Sequence, residues 1–360
     1  MRKFLLLVFY LFFSIANAQD HDFDSLFEHS KEFQESVKDW QQNYNLFDET
    51  DPLELTLKSD FRNLVKKKFK DEYQAAVIEI KFNDTISIVR EIKIKPRGNF
   101  RRKNCFYPPI RLNFQKTKVF LQHLSEFDKL NLVQLCKRGE TFENYLLSEY
   151  YAYGIYNIIT PFSFRVRLLK INYIDTSGKS KPRTNFAFII ENEKQMAARL
   201  NATPIKTENV HSEKTNRQLS SILYMFQYLI GNTDFSIRAL HNIKLIKVNN
   251  IDMFEPVAIP YDFDYSGIVN AYYAIPREEI PIKTVSERFY LGFCRGEHEL
   301  KQIFNIFKNK KPEIYNLILQ SEFLNKKEIK RITSYLDAFY QQIENEDIAL
   351  RYFNDRCRQR

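Results

Sequence analysis

The chain has 360 residues, 44% apolar and 28% charged, with 32 Phe and 21 Tyr, a composition that buries a large core and excludes a disordered or fibrous chain. Glycine is scarce, with 8 residues where an average chain carries roughly three times as many, and none falls in a G-x-G-x-x-G or G-x-x-x-x-G-K-[ST] run, which excludes a dinucleotide fingerprint and a P-loop. The formal net charge of +9 points to an anionic partner without separating nucleic acid, nucleotide, membrane and acidic glycan.

Residues 1–18 read as a secretory signal peptide: Arg2 and Lys3, an apolar stretch over 4–13, then Ala16 and Ala18 before Gln19. The stretch is shorter than the about 20 residues a membrane span needs, and no later segment qualifies, so no transmembrane segment is expected in the mature chain. The expected location is periplasmic or secreted, an oxidising setting. Cys105, Cys136, Cys294 and Cys357 form no zinc-like spacing. Three disulfide connectivities are open, as are four unpaired thiols. Cys105 with Cys136 is the preferred pair, because both sit beside basic loop-like stretches in one half.

Charge divides the chain. Residues 20–54 hold eleven acids against two bases, and 55–118 hold seventeen bases against six acids. Residues 19–54 are therefore read as an acidic arm, 55–191 as a strand-rich, anion-facing lobe, and 192–360 as a helical lobe. In chain order, Leu53, Leu55 and Leu57 alternate as a strand, and Ser59 and Asp60 cap a short Lys-rich helix through Lys70. Ile78, Ile80 and Phe82, a turn at Asn83 and Asp84, and Ile86, Ile88, Ile92 and Ile94 predict a hairpin with a cationic side. Pro96-Arg97-Gly98-Asn99 is a turn signal, and Ile110 to Phe114 a strand with Arg111 on its polar face. A helix over about 141–157 carries Glu149, and a strand pair follows, ending at Glu191.

The spacing of Ile222, Leu223, Phe226, Leu229 and Ile230 predicts a helix closed by Gly231. After the loop Gly231-Asn232-Thr233-Asp234, strands are predicted over 243–248 and 253–259, joined at Asn249 and Asn250, with Pro256 marking an edge. That hairpin makes Asn242 and Pro260 near neighbours and gathers Asp234, His241, Asn242, Asp262 and Asp264 at one place. Phosphoryl transfer needs such a set: one carboxylate for the attacking hydroxyl's proton, and another with an Asn oxygen for hard Mg²⁺ or Mn²⁺. The competing reading makes Asp234 and Asn242 turn and cap residues. Beyond residue 296, apolar positions at helical spacing predict further helices, and 351–360 reads as a solvated basic tail.

Pro96-Arg97-Gly98-Asn99, the helix around Glu149, the strand pair ending at Glu191, Gly231-Asn232-Thr233-Asp234 with His241-Asn242, and Pro260-Tyr261-Asp262-Phe263-Asp264 together resemble the CotH family of atypical secretory-pathway kinases, over roughly residues 53–274. The resemblance implies an α+β, divergent two-lobed protein-kinase-like fold, with a strand-rich N-terminal lobe and a mainly helical C-terminal lobe. It implies ATP and Mg²⁺ or Mn²⁺ as cofactors and phosphorylation of protein hydroxyls. Asp234 would be the catalytic base, Asn242 and Asp262 metal ligands, and Asp264 an auxiliary metal carboxylate. Arg97 and Arg111 are candidate phosphate cations, Glu149 the acid that pairs with one of them, and Glu191 an adenine-side residue. The alternative function is a non-catalytic pseudokinase serving as an envelope or surface binding protein. Expected partners are a protein substrate or an anionic envelope partner, not nucleic acid.

Overall fold

Apolar alternation in the first half of the chain builds strands, and the strands close on one another. The structure is a computed structural model; it describes residues 45–48, 50–82, 87–114 and 129–359, all of them within one compact unit. The expected signal peptide and most of the expected acidic arm lie outside the described residues, as does the turn at Asn83 and Asp84.

Strand β1 (Leu53–Ser59) leads through helix α1 (Phe61–Lys66) into β2 (Gln74–Lys81) and β3 (Ser87–Pro96). Asp60 caps α1, its side chain accepting the Asn63 N–H. Helix α2 (Phe100–Asn104), β4 (Ile110–Asn113), β5 (Lys129–Gln134), helix α3 (Glu140–Ile159), β6 (Val166–Asp175) and β7 (Arg183–Ile190) follow. The strands hydrogen-bond in the order β1-β2-β3-β4-β5-β7-β6, and β1 pairs in parallel with β6 from Leu53↔Leu169 to Ser59↔Asp175. The result is a closed seven-stranded barrel. Leu55, Leu57, Ile78, Ile80, Ile92, Ile94, Leu112 and Leu132 are buried, as the alternation requires.

This closure overturns the expected two-lobed kinase-like fold. Alternation reveals a strand and its two faces but not its neighbours. β1, which reads as a lone strand at the border of the acidic arm, uses both of its edges and leaves the sheet without one.

Helix α3 packs against β6 and β7 and also against the C-terminal helix α6 (Glu297–Leu319). It is buried on nearly every side, which explains its run of aromatic residues without a single apolar stripe. After α4 (Glu193–Arg199), strands β8 (Ala202–Ile205), β9 (Ile243–Val248) and β10 (Val257–Pro260) form a second sheet in the order β10-β9-β8. β10 is the edge strand anticipated from Pro256 but starts later than expected, because Met253 and Asn250 form a turn and the Pro256 carbonyl accepts the Asn216 N–H.

Helix α5 (Arg217–Ile230) separates β8 from β9, and α7 (Lys326–Glu344) and α8 (Glu346–Arg356) complete the helical part. Of the expected solvated basic tail, Arg351, Arg356 and Arg358 are exposed, while its start belongs to α8 and its end is tied back to the fold. Cys357 is bonded to Cys294, and the Arg358 guanidinium lies 4.6 Å from the Phe293 ring centre. Cys105 is bonded to Cys136, the pairing preferred from sequence. No helix among the described residues is long and apolar enough to cross a membrane.

Gly231 ends α5 in the left-handed region (φ +66°), and a Cβ there would lie 2.0 Å from the Tyr335 hydroxyl. Gly231→Ala is expected to cost about 2–3 kcal/mol, strain and overpacking together, read as a lowered urea midpoint.

Candidate functional site

Gly231 turns the chain out of α5 into the loop that carries Asp234. Buried Asn232 donates to Gln227 Oε1 (2.9 Å) and accepts the Asp234 N–H (3.0 Å), while Arg277 donates to the Thr233 carbonyl (2.7 Å). Between Asp234 and Asn242 the chain folds into a tight turn. Ser236 and His241 close that turn with two backbone hydrogen bonds of 2.9 and 3.0 Å. Asn242 therefore returns to donate to the Asp234 carbonyl (2.8 Å) and to its Oδ2 (3.1 Å), and His241 Nε2 lies 2.9 Å from Oδ1. That hydrogen bond to Asp234 raises the His241 pKa above its ordinary value.

The second carboxylate loop enters from β10. Pro260 pairs with Ile243, and the Tyr261 N–H donates to the Asn242 carbonyl (3.0 Å), so Asn242 and the following Asp262 segment meet at the open end of the hairpin. The Asp262 N–H donates to the Tyr153 hydroxyl (2.8 Å). Leu240, Asn242 and Asp262 all have left-handed backbones, with φ of 47°, 53° and 64°. Such conformations cost on the order of 1–3 kcal/mol in a non-glycine residue and gather where function requires a particular side-chain direction. Gly267 and Ile268 donate to the carbonyls of Gly231 and Ile230, tying the two loops together.

Between these loops and α3 lies a buried charge cluster. Asp264 is 6% exposed and accepts the Tyr273 hydroxyl proton (3.0 Å). Burial, then repulsion by Asp262, pushes its pKa up to about 7. Burial, then Asp264, holds the Glu149 carboxyl well above the usual range against the pull of Arg101. Arg101 Nη1 stands 3.5 Å from Glu149 Oε2, and its Nη2 donates to the Gln134 carbonyl (2.7 Å). Burial opposes the charge of Arg101, but Tyr273, Glu149, Asp264 and Asp262 together raise its pKa. Burial lowers the pKa of Arg97, whose charge Asp262 favours and Arg111 disfavours.

The structure thus joins Asp234 to Asn242 and His241 by hydrogen bonds, and brings Asp262, Asp264, Glu149 and Arg97 within electrostatic reach of one another. Arg111, on β4, donates to Asn131 (3.4 Å). Glu191 follows β7, where its carboxylate is engaged by Arg199 (2.8 and 3.0 Å) and the Arg165 N–H (3.1 Å). The partner of Glu149 is Arg101, neither of the two cations offered by the sequence. Its signal was its place in a basic run between the Gly98 turn and Cys105. Tyr153 and Tyr273 also escaped the sequence reading, although Tyr153 stands one helical turn from Glu149.

Among the described residues, no three His, Cys, Asp or Glu side chains form a metal cage. Mg²⁺ is ordinarily held by one or two carboxylates together with nucleotide phosphates rather than by an all-protein cage. Asp262 and Asp264, which repel each other, with the nearby Asn242, fit that kind of binding, and a cation would relieve the repulsion that raises Asp264.

No family model matches the sequence, and no curated protein matches it. The chain is similar to the crystal structure of a Helicobacter pylori proinflammatory kinase, CtkA, with a TM-score of 0.36 and 13% identity over 80% of this chain and 93% of that chain.

Two outcomes follow from the cluster. Because the folded-state pKa of Asp264 lies above its ordinary value of 3.8, the folded protein binds the proton more tightly, and stability falls as pH rises from there through about 7. Asp264→Asn removes that titration. In metal-free buffer the variant is expected to melt above wild type at about pH 8, with the gap closing near pH 4. The second outcome concerns the Cys105–Cys136 disulfide, which ties the end of α2 to the chain just past β5. Replacing both cysteines by Ser is expected to cost about 3–4 kcal/mol and to speed hydrogen exchange around Arg101 while leaving α7 protected.

Proposed function

We propose that this protein is an exported, metal-dependent phosphotransferase that moves a phosphoryl group from ATP to a protein hydroxyl, the activity implied by the CotH resemblance. The observation that carries the reading is Asp234, hydrogen-bonded by Asn242 and His241, within electrostatic reach of Asp264 in the Asp262/Asp264 carboxylate pair. The proposal rests on this site and not on a kinase fold.

In the proposed reaction the substrate hydroxyl oxygen forms a bond to the γ-phosphorus of ATP, the bond from that phosphorus to the β,γ-bridging oxygen breaks, and ADP leaves. Asp234 accepts the hydroxyl proton, and its hydrogen bonds to Asn242 and His241 aim the carboxylate. Arg97 and Arg101 supply positive charge for the phosphates, with Glu149 orienting Arg101. Arg111 is a further cation in this proposal and Glu191 its adenine-side residue. Mg²⁺ or Mn²⁺, held by Asn242 and Asp262 with Asp264 as auxiliary carboxylate, would neutralise phosphate charge when bound. The two disulfides support an oxidising location, and the expected signal peptide supports export.

The test is a thermal shift with ATP, run with and without Mg²⁺ or Mn²⁺, beside transfer of labelled phosphate to a protein acceptor. Wild type is expected to show a metal-dependent shift and transfer, and Asp262→Ala to lose both. Asp234→Ala should keep the shift and lose transfer by about 10²–10⁴-fold. No metal-dependent shift in wild type defeats this reading and leaves the non-catalytic surface-binding alternative.

A further inference from the structure

We propose that Tyr153 is a positioning residue for Asp262: its hydroxyl accepts the Asp262 N–H and so ties the left-handed Asp262 turn to the helix that carries Glu149. This inference rests on the phosphotransfer reading for its consequence, though not for its geometry.

Asp262 has φ +64° and lies beyond Pro260, where the pairing of β10 with β9 ends. The Asp262 N–H is part-buried, and a backbone N–H drawn even partly out of water needs an acceptor. The Tyr153 hydroxyl supplies it at 2.8 Å, from a side chain 1% exposed. The phenol ring cannot move aside, because Phe263 lies 4.6 Å and Phe188 5.9 Å from it, centre to centre. Phe263 is itself packed against Phe226 of α5, so the residue after Asp262 is wedged between two helices.

Tyr153 stands four residues after Glu149 on α3, and positions so spaced share one helix face. One face of α3 therefore presents both the carboxylate that pairs with Arg101 and the hydroxyl that holds Asp262. A phenol acts as acceptor and donor at once, so the Tyr153 hydroxyl keeps its own proton while accepting from Asp262. Glu149 Oε1, one turn earlier, is buried without a hydrogen-bond partner among the described residues. A displacement of α3 breaks the Arg101–Glu149 contact and releases Asp262 together. The phosphate-side cation and the metal-side carboxylate are thereby set by a single rigid element, and Tyr153 links the second of them to it.

Tyr153→Phe keeps the ring and removes the hydroxyl, and with it the acceptor for the Asp262 N–H. Tyr156→Phe, at another buried tyrosine of α3 packed on Phe226, is the control. In the ATP thermal-shift titration, Tyr153→Phe is expected to raise the Mg²⁺ or Mn²⁺ concentration for half-maximal shift by about tenfold, with little change in the ATP requirement at saturating metal. Tyr156→Phe should leave both unchanged. Equal metal requirements in wild type and Tyr153→Phe overturn the inference while the phosphotransfer reading stands. A wild type with no metal-dependent shift overturns both.

Amide hydrogen exchange tests the geometry in the unmodified protein, without nucleotide and whether or not the variant folds. The Asp262 N–H is expected to be protected as strongly as the amides of β10, and rapid exchange at Asp262 overturns the proposal.

Discussion

The constraint on which this structure turns is the burial of charge around Arg101. Glu149, Asp262 and Asp264 crowd one guanidinium whose side chain is only 11% exposed. In a low-dielectric interior such a set persists only when each charge is offset by an opposite charge or a hydrogen bond. Arg101 gains its offset from the three acids, and its orientation from the Gln134 carbonyl. Burial first, and then the excess of acid over what Arg101 balances, pushes Asp264 and Glu149 toward their protonated forms. An excess of buried acid is a stability cost to an apo protein and an advantage to one that binds a cation with phosphate.

Rigid elements hold the cluster in place. The barrel removes sheet edges and positions the end of β5, whose last residue, Gln134, supplies the carbonyl beneath Arg101. The Cys105–Cys136 bond, the Tyr107 N–H to the Cys136 carbonyl (3.1 Å), and the Gln134 side chain to the Pro108 carbonyl (2.6 Å) strap the connection after α2 to the same place. From the other side, α3 is clamped by Glu328 and Arg331 of α7. Ser148 donates to Glu328 (2.9 Å), and Arg331 also donates to the Ile268 carbonyl beyond Asp264. The site is therefore assembled from separated stretches of chain, each held by packing or a covalent link.

Much of the local structure was legible. The Asp60 cap, the β2–β3 alternation, the α5 stripe with Gly231 after it, and the meeting of Asn242 with the end of β10 all follow from periodicity and turn chemistry acting over a few residues. The contact of Asp234 with His241 and Asn242 comes instead from the turn closed by Ser236 and His241, which the ends of the predicted hairpin do not specify. What escaped depended on long-range pairing. Closure of the barrel needs β1 to find β6, more than a hundred residues away in the chain, and nothing in the pattern of Leu53, Leu55 and Leu57 marks its second neighbour. Arg101 escaped as well, because a basic run carries no sign of which member turns inward.

By itself the sequence determined that segments such as β1 to β4, α3 and α5 form strands and helices, and which side chains bring carboxylate, amide and imidazole chemistry to the two loops. These are properties of neighbouring residues, set by backbone sterics and by the alternation of apolar and polar side chains. Only the tertiary structure decided that the strands close into a barrel, that Arg101 is the partner of Glu149, that Tyr153 holds Asp262, and that the basic end of the chain folds back through Cys357. Those outcomes belong to contacts between residues far apart in the chain, whose energies depend on burial and on the charges already present when the segments meet.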